Sequence, residues 1–326
     1  MTHDYVIVGA GFAGATTAYH LAARGVTDVV LLEQEPTPGV HSSGRNACFI
    51  RERTGEPWWQ PLSEAGSAVL RRGELAPYEQ NGSLLIGMGD DDVSRWVPMA
   101  RGRALWCAGD GIVDVAALLA RYLEGRDVRY GCRLERWTPD GDALQLETSW
   151  GGLRTRVLVN AAGAWGGRLG DLPVAPLDRH IFVTEPMDTV DPAWPFVWDV
   201  THGLYFRPES RGLLLSPCDE IPAQPGVYEE SPTALEGLAE KVATHQPDLG
   251  DLRIAYRWVG QRTFATDRMP VIGFDPREPR LFHVVGLGGH GVTTSPAVGA
   301  LAAAVLLDGD RSRADLAPDR LIDRSP

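Results

Sequence analysis

Lysine and cysteine are scarce in this chain of 326 residues. Lys241 is the only lysine, so lysine chemistry is absent from almost every possible site. The four cysteines are scattered, with no C-x-x-C pair and no metal-ligand spacing. This pattern excludes a small disulfide-stapled scaffold, predicts no metal site and indicates four reduced thiols.

The chain also lacks a secretory signal and a long apolar run. Structured sequence follows directly after residues 1–4, and the longest apolar helical stretch, residues 297–307, is shorter than the roughly 20 residues of a membrane span. Lys and Arg number 31 against 43 Asp and Glu, a formal net charge of −12. Nucleic acids and anionic membranes bind cationic surfaces. We therefore expect a cytoplasmic protein with no membrane span and no nucleic-acid partner.

The sequence opens with a strand, a glycine-rich turn, a helix and a second strand. Residues 5–8 and 29–32 have the β-branched and leucine-rich composition of buried strands. Between them lies Gly9-x-Gly11-x-x-Gly14, and Glu33 ends the second strand. Such glycines let the backbone approach a pyrophosphate, and the acid accepts hydrogen bonds from a ribose. The unit predicts a dinucleotide-binding domain but does not distinguish NAD from FAD.

A second glycine-rich turn near the C-terminus favours FAD. The strand at residues 281–285 leads into the turn at residues 286–291, and an apolar helix follows. A helix N-terminus in this position stabilises the negative charge that a flavin ring acquires on reduction. The segment at residues 160–165 is expected to lie against the same cofactor.

Five segments together resemble one family. They are the opening glycine motif, Ser42-Ser43-Gly44-Arg45-Asn46, the run at residues 258–273 with residues 160–165, and the C-terminal glycine turn. Over nearly the whole chain they are similar to FAD-dependent D-amino-acid oxidoreductases, in the branch of glycine oxidase, D-arginine dehydrogenase and sarcosine oxidase. The resemblance implies an α/β fold, with a Rossmann-type FAD-binding domain and an inserted mixed α+β substrate domain.

The composition changes along the chain suggest where the two domains divide. Length alone favours two lobes, because single cores rarely grow beyond roughly 250–300 residues. We place a discontinuous FAD-binding domain at residues 1–75, 111–172 and 267–326. The substrate-binding domain then comprises residues 76–110 and 173–266.

The resemblance implies a bound FAD and the residues that hold it. The expected FAD-binding residues are Gly9, Gly11, Phe12, Ala13, Gly14, Glu33, Gln34, Ser42, Ser43, Arg45, Asn46, Ala47, Arg133, Ala161, Ala162, Gly163, Trp165, Gly288, Gly289, His290, Gly291, Val292 and Thr293. Sarcosine oxidases tether FAD through a cysteine just before the C-terminal turn, but no cysteine follows Cys218 here. We therefore expect noncovalent FAD.

The resemblance also implies which side chains meet the substrate. Arg262 matches the arginine that binds the substrate carboxylate, and Tyr205 matches the tyrosine that accompanies it. Arg51 lies in a segment similar to the sarcosine oxidase pattern, although other branches differ there and a solvent-facing Arg51 remains an alternative. Arg179 is a further candidate for the cavity wall. His290 is expected to touch the flavin.

Two departures from the family pattern affect the substrate prediction. Residues 87–112 are fewer than the family usually has between a strand and the next helix, so part of the substrate domain or its lid is missing. Sarcosine oxidases place a lysine beside the flavin, whereas Lys241 lies in a predicted polar helix at residues 233–245. The first departure predicts a wider pocket, a longer substrate or a covering partner, and the second predicts no lysine-assisted oxygen activation.

The expected activity is oxidation of the C–N bond of a glycine-like or N-substituted glycine substrate. The resemblance implies hydride transfer from the α-carbon to FAD N5, followed by imine hydrolysis to glyoxylate and an amine. A D-amino acid giving a 2-keto acid and ammonia is an alternative. A third possibility is the flavin-binding subunit of a multi-subunit amine oxidoreductase. Otherwise we expect a monomer or homodimer.

Overall fold

A computed structural model describes residues 2–322. Met1 and residues 323–326, the end of the predicted FAD-binding domain, lie outside the described residues. The helices are α1 Phe12–Ala23, α2 Gln60–Leu70, α3 Val115–Leu123, α4 Gly166–Gly170, α5 Pro232–His245 and α6 Gly291–Asp308. The strands are β1 Thr2–Val8, β2 Val29–Glu33, β3 Phe49–Ile50, β4 Tyr78–Glu79, β5 Ser83–Asp92, β6 Arg103–Cys107, β7 Gly111–Val113, β8 Asp127–Tyr130, β9 Leu134–Asp140, β10 Ala143–Thr148, β11 Gly151–Asn160, β12 Val174–Thr184, β13 Phe196–Asp199, β14 Leu204–Glu209, β15 Gly212–Ser216, β16 Ile221–Pro222, β17 Ile254–Ala265, β18 Val271–Phe274 and β19 Leu281–Val285.

The first sheet has the predicted strand, turn, helix and strand at its centre. Its order is β18-β19-β11-β1-β2-β8, and β1 pairs in parallel with both β2 and β11. Helices α1, α2, α3 and α6 cover one face, where Leu21, Leu118 and Val298 are fully buried. The antiparallel ribbon β9–β10 extends from β11 on the other side of the sheet. All five residues of β2 are buried, as expected for a parallel strand with both faces covered.

The second sheet is mixed and has the order β16-β12-β15-β14-β13-β5-β6, with β17 paired to β12. The β12–β17 ladder extends from Val174 opposite Ala265 to Thr184 opposite Ile254. Helix α5 packs Leu238 into the apolar cluster of this sheet. The predicted fold class, α/β with a Rossmann-type domain and a second mixed domain, is confirmed. The domain boundaries themselves stay a prediction.

Two segments differ from the sequence-based expectation. Over residues 77–110 the sequence predicts a short strand at residues 83–86 and otherwise connecting segments, but β5 continues to Asp92 and pairs antiparallel with β6. The sequence predicts a helix over residues 113–123, but the helix begins at Val115, because Gly111–Val113 joins the small sheet β3-β7-β4. The Asp114 carboxylate then caps α3 by accepting a 2.9 Å hydrogen bond from the Ala117 N–H.

Helix α6 is longer than the apolar stretch expected at residues 297–307. Its 18 residues have a mean hydropathy of 1.4, so the helix is long and apolar enough to cross a membrane. It instead packs against α1 and α2, with Thr294, Ser295 and Val298 fully buried. The apolar composition of α6 is accounted for by its place in the core of the first domain.

Candidate functional site

Two adjacent cavities that share part of their lining follow the glycine turn at the carboxyl ends of β1 and β2. The larger has a volume of about 580 Å³ and extends from the turn past Glu33 to the β9 ribbon. The smaller, of about 110 Å³, extends from the turn to the N-terminus of α6. Both are lined by Gly11, Ser43 and Ala161. An elongated ligand can therefore lie across the sheet edge and span both cavities.

The glycine turn is shaped by close backbone contacts. Gly9 has a φ of +102°, and a Cβ atom there would lie 2.5 Å from the carbonyl oxygen of Ala161. A Cβ atom on Gly11 would lie 2.9 Å from the Ser43 hydroxyl, which accepts a 3.0 Å hydrogen bond from the Phe12 N–H. Only glycine fits this turn without displacing the cavity wall.

Glu33 lies at the end of β2 and forms part of the wall of the larger cavity. Its two carboxylate oxygens accept hydrogen bonds from the Ala10 N–H at 2.9 Å and from the Glu35 N–H at 3.0 Å. These bonds fix the carboxylate beside the glycine turn. Its remaining lone pairs are available to accept hydrogen bonds from ribose hydroxyl groups.

Most of the residues expected to bind FAD line one of the two cavities. They are Gly9, Gly11, Phe12, Ala13, Glu33, Gln34, Ser42, Ser43, Asn46, Arg133, Ala161, Ala162, Gly163, Trp165, Gly288, Gly289, Gly291 and Val292. Sequence segments 150 residues or more apart are thus brought together. Their contacts with FAD stay a prediction.

Five of the expected residues lie outside the lining of both cavities. Gly14 packs α1 on β1, because a Cβ atom there would lie 2.0 Å from the Gly9 carbonyl oxygen. Arg45 turns away, with its guanidinium 4.2 Å from the ring centroid of Tyr228. Ala47 packs in the apolar cluster around Tyr205.

The remaining two, Thr293 and His290, contact the segment at residues 49–59. The Thr293 hydroxyl donates to the Phe49 carbonyl at 3.2 Å and accepts from the Arg51 N–H at 3.3 Å. It therefore fixes the segment that carries Arg51 to the start of α6. The His290 ring stacks on Trp59, with 4.5 Å between ring centroids.

Several residues of the cavity walls were not predicted from the sequence. At the β9 end these include Val40, His41, Cys132, Leu134, Trp137, Arg168 and Leu169, and at the α6 end Thr263, Val284 and Leu287. Cys132 follows β8 by two residues, and the strand-like sequence of residues 128–130 followed by Gly131 is the local signal that could have indicated it. The others are brought to the cavity by pairing of distant strands, which no local pattern indicates.

Arg262 is the expected substrate arginine and lines the smaller cavity. Its Nη1 donates to the carbonyls of Arg45 at 3.2 Å and Gln261 at 3.1 Å. The side chain is buried, and burial lowers its pKa to about 10. The guanidinium therefore remains charged at neutral pH, and within residues 2–322 no carboxylate lies within 4 Å of it. This buried charge can bind an anionic ligand group.

Tyr205 lies near Arg262, and it interacts electrostatically with both Arg262 and Arg51. Tyr205 on β14 is buried among Ala47, Ile181 and Leu214. Arg51 is also buried, so the alternative of a solvent-facing Arg51 is wrong. Its guanidinium carbon lies 3.6 Å from the ring centroid of Trp198, and Trp198 contacts Tyr205 with 5.2 Å between ring centroids. Burial lowers the pKa of Arg51.

Arg179 lies in the same region but is already engaged. Its Nε donates to the Asp219 carbonyl at 2.7 Å, and its Nη2 lies 3.3 Å from a Glu220 carboxylate oxygen. Burial, together with the positive charges of Arg51 and Arg179, holds the pKa of His290 well below its usual value. At neutral pH the site thus combines cationic guanidiniums with a neutral imidazole.

Lys241 lies in α5, as expected for the segment at residues 233–245. Its Nζ donates to the carbonyls of Gly203 at 2.9 Å and Pro217 at 2.7 Å. The ammonium group therefore joins two loops of the second domain. Among residues 2–322, no group of three or more His, Cys, Asp or Glu side chains is arranged to hold a metal ion.

The cavities fit FAD in shape and in chemistry. A glycine turn that excludes side chains lies in the middle. The Glu33 carboxylate lies on one side of the turn, and the N-terminus of α6 lies on the other side. The first two residues of α1, Phe12 and Ala13, and of α6, Gly291 and Val292, line the smaller cavity, so the positive ends of both helices lie at it.

Comparison with known proteins agrees with this geometry. The chain is 28% identical to FAD-dependent oxidoreductase domain-containing protein 1 from Bos taurus, over 97% of this chain and 83% of that protein. It is 25% identical to mitochondrial dimethylglycine dehydrogenase from Rattus norvegicus, over 94% of this chain but only 43% of that protein. The crystal structure of glycine oxidase from Geobacillus kaustophilus superposes with a TM-score of 0.82 at 23% identity, covering all of both chains.

The family match covers most of the molecule. Residues 4–305 match the family described as "DAO: FAD dependent oxidoreductase". This range includes the glycine turn, Glu33, Arg262 and most of α6. The FAD dependence of this family agrees with the shape and lining of the cavities described above. The chain therefore belongs to the DAO family of FAD-dependent oxidoreductases, and it is an FAD-dependent enzyme.

Proposed function

We propose that this enzyme oxidises the C–N bond of a glycine-like or N-substituted glycine substrate, releasing glyoxylate and an amine. The observation that carries the proposal is Arg262, a buried and charged guanidinium that lines the smaller cavity without a carboxylate partner in residues 2–322. A substrate carboxylate would supply the missing negative charge. The activity for which one relative, dimethylglycine dehydrogenase, is named supports an N-substituted glycine as substrate.

The residues that would hold FAD are those lining the two cavities. Glu33 would bind the ribose, the glycine turn and α1 N-terminus the pyrophosphate, and the α6 N-terminus the flavin. When bound, FAD supplies the acceptor for the hydride from the substrate α-carbon. We propose that it is held noncovalently, so acid precipitation of the protein should leave the flavin in the supernatant.

The chain's own residues position the substrate and set its protonation. Arg262 binds the carboxylate in a bidentate manner, and the Tyr205 hydroxyl adds a further hydrogen bond to it. These contacts orient the α-carbon. Arg51, Arg179 and Arg262 together disfavour a protonated, cationic amine, because like charges repel. The neutral amine, which is the form that loses a hydride, is thus favoured in the site.

The test is anaerobic mixing of the holoenzyme with glycine, sarcosine, longer N-alkylglycines and a panel of D-amino acids. We expect loss of the visible flavin absorbance with at least one N-substituted glycine. Reduction by D-amino acids alone would replace the proposal with the keto-acid reaction. If none of these compounds reduces the flavin, the substrate class is wrong.

A further inference from the structure

One segment of the second domain lies against the wall of the larger cavity. This segment, residues 224–228, connects β16 with α5, and we call it the clasp. It contacts three residues that line the larger cavity, His41, Trp165 and Arg168. The Arg168 guanidinium donates to the Gln224 side-chain oxygen at 3.0 Å, and a Cβ atom on Gly226 would lie 2.7 Å from the Trp165 ring. The second domain therefore supports one wall of the larger cavity.

The third contact, through His41, ties the clasp to the segment that follows β2. The His41 Nε2 donates to the Glu35 carboxylate at 2.9 Å, and its Nδ1 lies 2.5 Å from the Tyr228 hydroxyl. Burial raises the pKa of Tyr228 to about 12, so this hydroxyl keeps its proton and can donate it to Nδ1. The Arg45 guanidinium lies over the same tyrosine ring. Tyr228 is thus held by two side chains of the first domain.

Gln261 on β17 fixes the clasp from within the second domain. Its Oε1 accepts from the Gly226 N–H at 3.0 Å, and its Nε2 donates to the carbonyls of Gln224 at 2.8 Å and Val227 at 2.9 Å. The side chain is buried. Its own carbonyl accepts a 2.7 Å hydrogen bond from the hydroxyl of Ser42, which lines both cavities. Hydrogen bonds therefore define the position of the clasp.

A third cavity, of about 400 Å³, lies beside the clasp and is lined by Gly226 and Val227. It shares four residues with the larger cavity, Gln34, His41, Arg133 and Trp165. Arg133 and Val227 are exposed, so this third cavity lies at the protein surface. The clasp is therefore placed at an opening of the surface that adjoins the larger cavity.

We propose that the clasp retains the adenosine half of FAD, and that its detachment from the cavity wall is the step that releases the cofactor. Glu33, which would bind the ribose, lines the same cavity as His41, Trp165 and Arg168. The clasp residues act by positioning this wall. Loss of one hydrogen bond of the clasp should speed FAD release by about 3- to 10-fold. The inference rests on the proposed place of FAD and is independent of the substrate.

The first test measures FAD release from the holoenzyme. A nucleotide pyrophosphatase in excess cleaves each released FAD to fluorescent FMN, so the rise in fluorescence gives the release rate. Tyr228→Phe removes the hydroxyl that bonds to His41, and we expect release to be about 3- to 10-fold faster. Tyr256→Phe, at an exposed position of β17, should leave the rate unchanged. An unchanged rate in Tyr228→Phe would overturn the proposal.

Two glycines provide a matched pair for the contact with Trp165. Gly226 has a φ of +75° and Gly250 a φ of +72°, so alanine meets similar backbone strain at both positions. Only at position 226 would the added Cβ atom meet Trp165, because nothing lies within 4 Å of a Cβ atom at position 250. Gly226→Ala should speed FAD release by roughly 10-fold or more relative to Gly250→Ala. Equal rates in the two variants would contradict the assigned contact.

FMN separates an effect on the adenosine half from a general weakening of the fold, because FMN lacks that half. The apoprotein of Tyr228→Phe and of the wild type is titrated with FAD and with FMN. We expect the variant to raise the Kd for FAD and to leave the Kd for FMN unchanged. An equal rise in both Kd values would overturn the clasp. Reduction of the flavin by N-alkylglycines would be unaffected by that outcome, so the proposed function is tested separately.

Discussion

At the scale of the residue, burial determines how Arg262 works. Its backbone-carbonyl hydrogen bonds fix the guanidinium without neutralising it. The substrate carboxylate therefore meets a desolvated and preoriented cation, where electrostatic attraction is stronger than in water. The sequence predicted this residue by resemblance, but the absence of an acidic partner could be seen only after β12 and β17 had paired.

We predict that Arg262→Gln lowers kcat/KM by roughly 10- to 100-fold, because two charge-assisted hydrogen bonds to the carboxylate are lost. FAD content should be retained, since the backbone of the glycine turn is unchanged. Steady-state kinetics on the best N-substituted glycine measures the effect. Arg72→Gln, at an exposed position after α2, serves as the control. A kcat/KM value within twofold of the wild type would contradict the assigned role.

Glu33 provides a second prediction, which concerns the cofactor. Glu33→Gln replaces a carboxylate that accepts from the Ala10 and Glu35 N–H groups and that faces the larger cavity. We expect the Kd for FAD to rise by about 10-fold or more. Titration of the apoprotein with FAD measures this change. Glu236→Gln, at an exposed position of α5, should leave the Kd unaltered.

The pH dependence of stability is predicted from His283. This buried ring accepts at Nδ1 from the Asn160 amide at 3.1 Å and donates from Nε2 to Asp275 at 3.1 Å, so it is neutral. Burial lowers its pKa below 6.5. Below that pH the unfolded chain binds more protons than the folded one, so the free energy of unfolding falls as the pH falls.

We expect the Tm of the holoenzyme to fall between pH 7.5 and 5.5, and to fall less in His283→Gln. His180→Gln should show the opposite change in slope. Burial lowers the pKa of His180, but its 2.6 Å hydrogen bond to Asp219 outweighs burial and raises it. The stabilisation from His180 is therefore present below pH 6.5 and is lost as the pH rises. Identical slopes in wild type and His283→Gln would contradict this account.

At the scale of the element, the contact of α1 with α6 aligns two helix N-termini with the cavities. A Cβ atom on Gly299 of α6 would lie 2.3 Å from the Thr16 hydroxyl and 2.6 Å from the Thr16 carbonyl oxygen. Gly299→Ala is predicted to destabilise the protein by about 1–3 kcal/mol, because the helices must move apart. Gly237→Ala, a helix-interior glycine with nothing within 4 Å of the added atom, should stabilise it by about 0.5–1 kcal/mol. Thermal unfolding of both variants measures the difference.

The elements also show what a sequence pattern can and cannot predict. The β1, α1 and β2 unit has strong local signals, a glycine turn between two apolar strands. The second half of β5 has none, since Gly87, Gly89 and residues 90–92 are poor strand formers. It becomes a strand only by pairing with β6, through an irregular register between Ile86 and Asp91. Tertiary pairing overrides local propensity there.

At the scale of the whole molecule, the site depends on segments far apart in the chain. Different segments of the chain contribute the glycine turn, Arg51, Tyr205, Arg262 and α6. Only the family resemblance allowed the sequence to predict that they belong to one site. The shortened segment at residues 87–112 forms the β5–β6 hairpin at an edge of the second sheet. We predict that the chain turns over substrate as an isolated monomer or homodimer. Size-exclusion chromatography followed by activity assays tests this prediction. Activity in the monomer or homodimer fraction supports it, whereas activity only in a larger complex would favour a flavin-binding subunit.

The central claim is cleavage of the C–N bond of an N-substituted glycine, and the acid released after turnover tests it most directly. With an N-alkylglycine as the sole substrate, the account predicts glyoxylate and the free amine in equal amounts. A longer keto acid with ammonia, formed only from D-amino acids while N-alkylglycines remain unchanged, would contradict it.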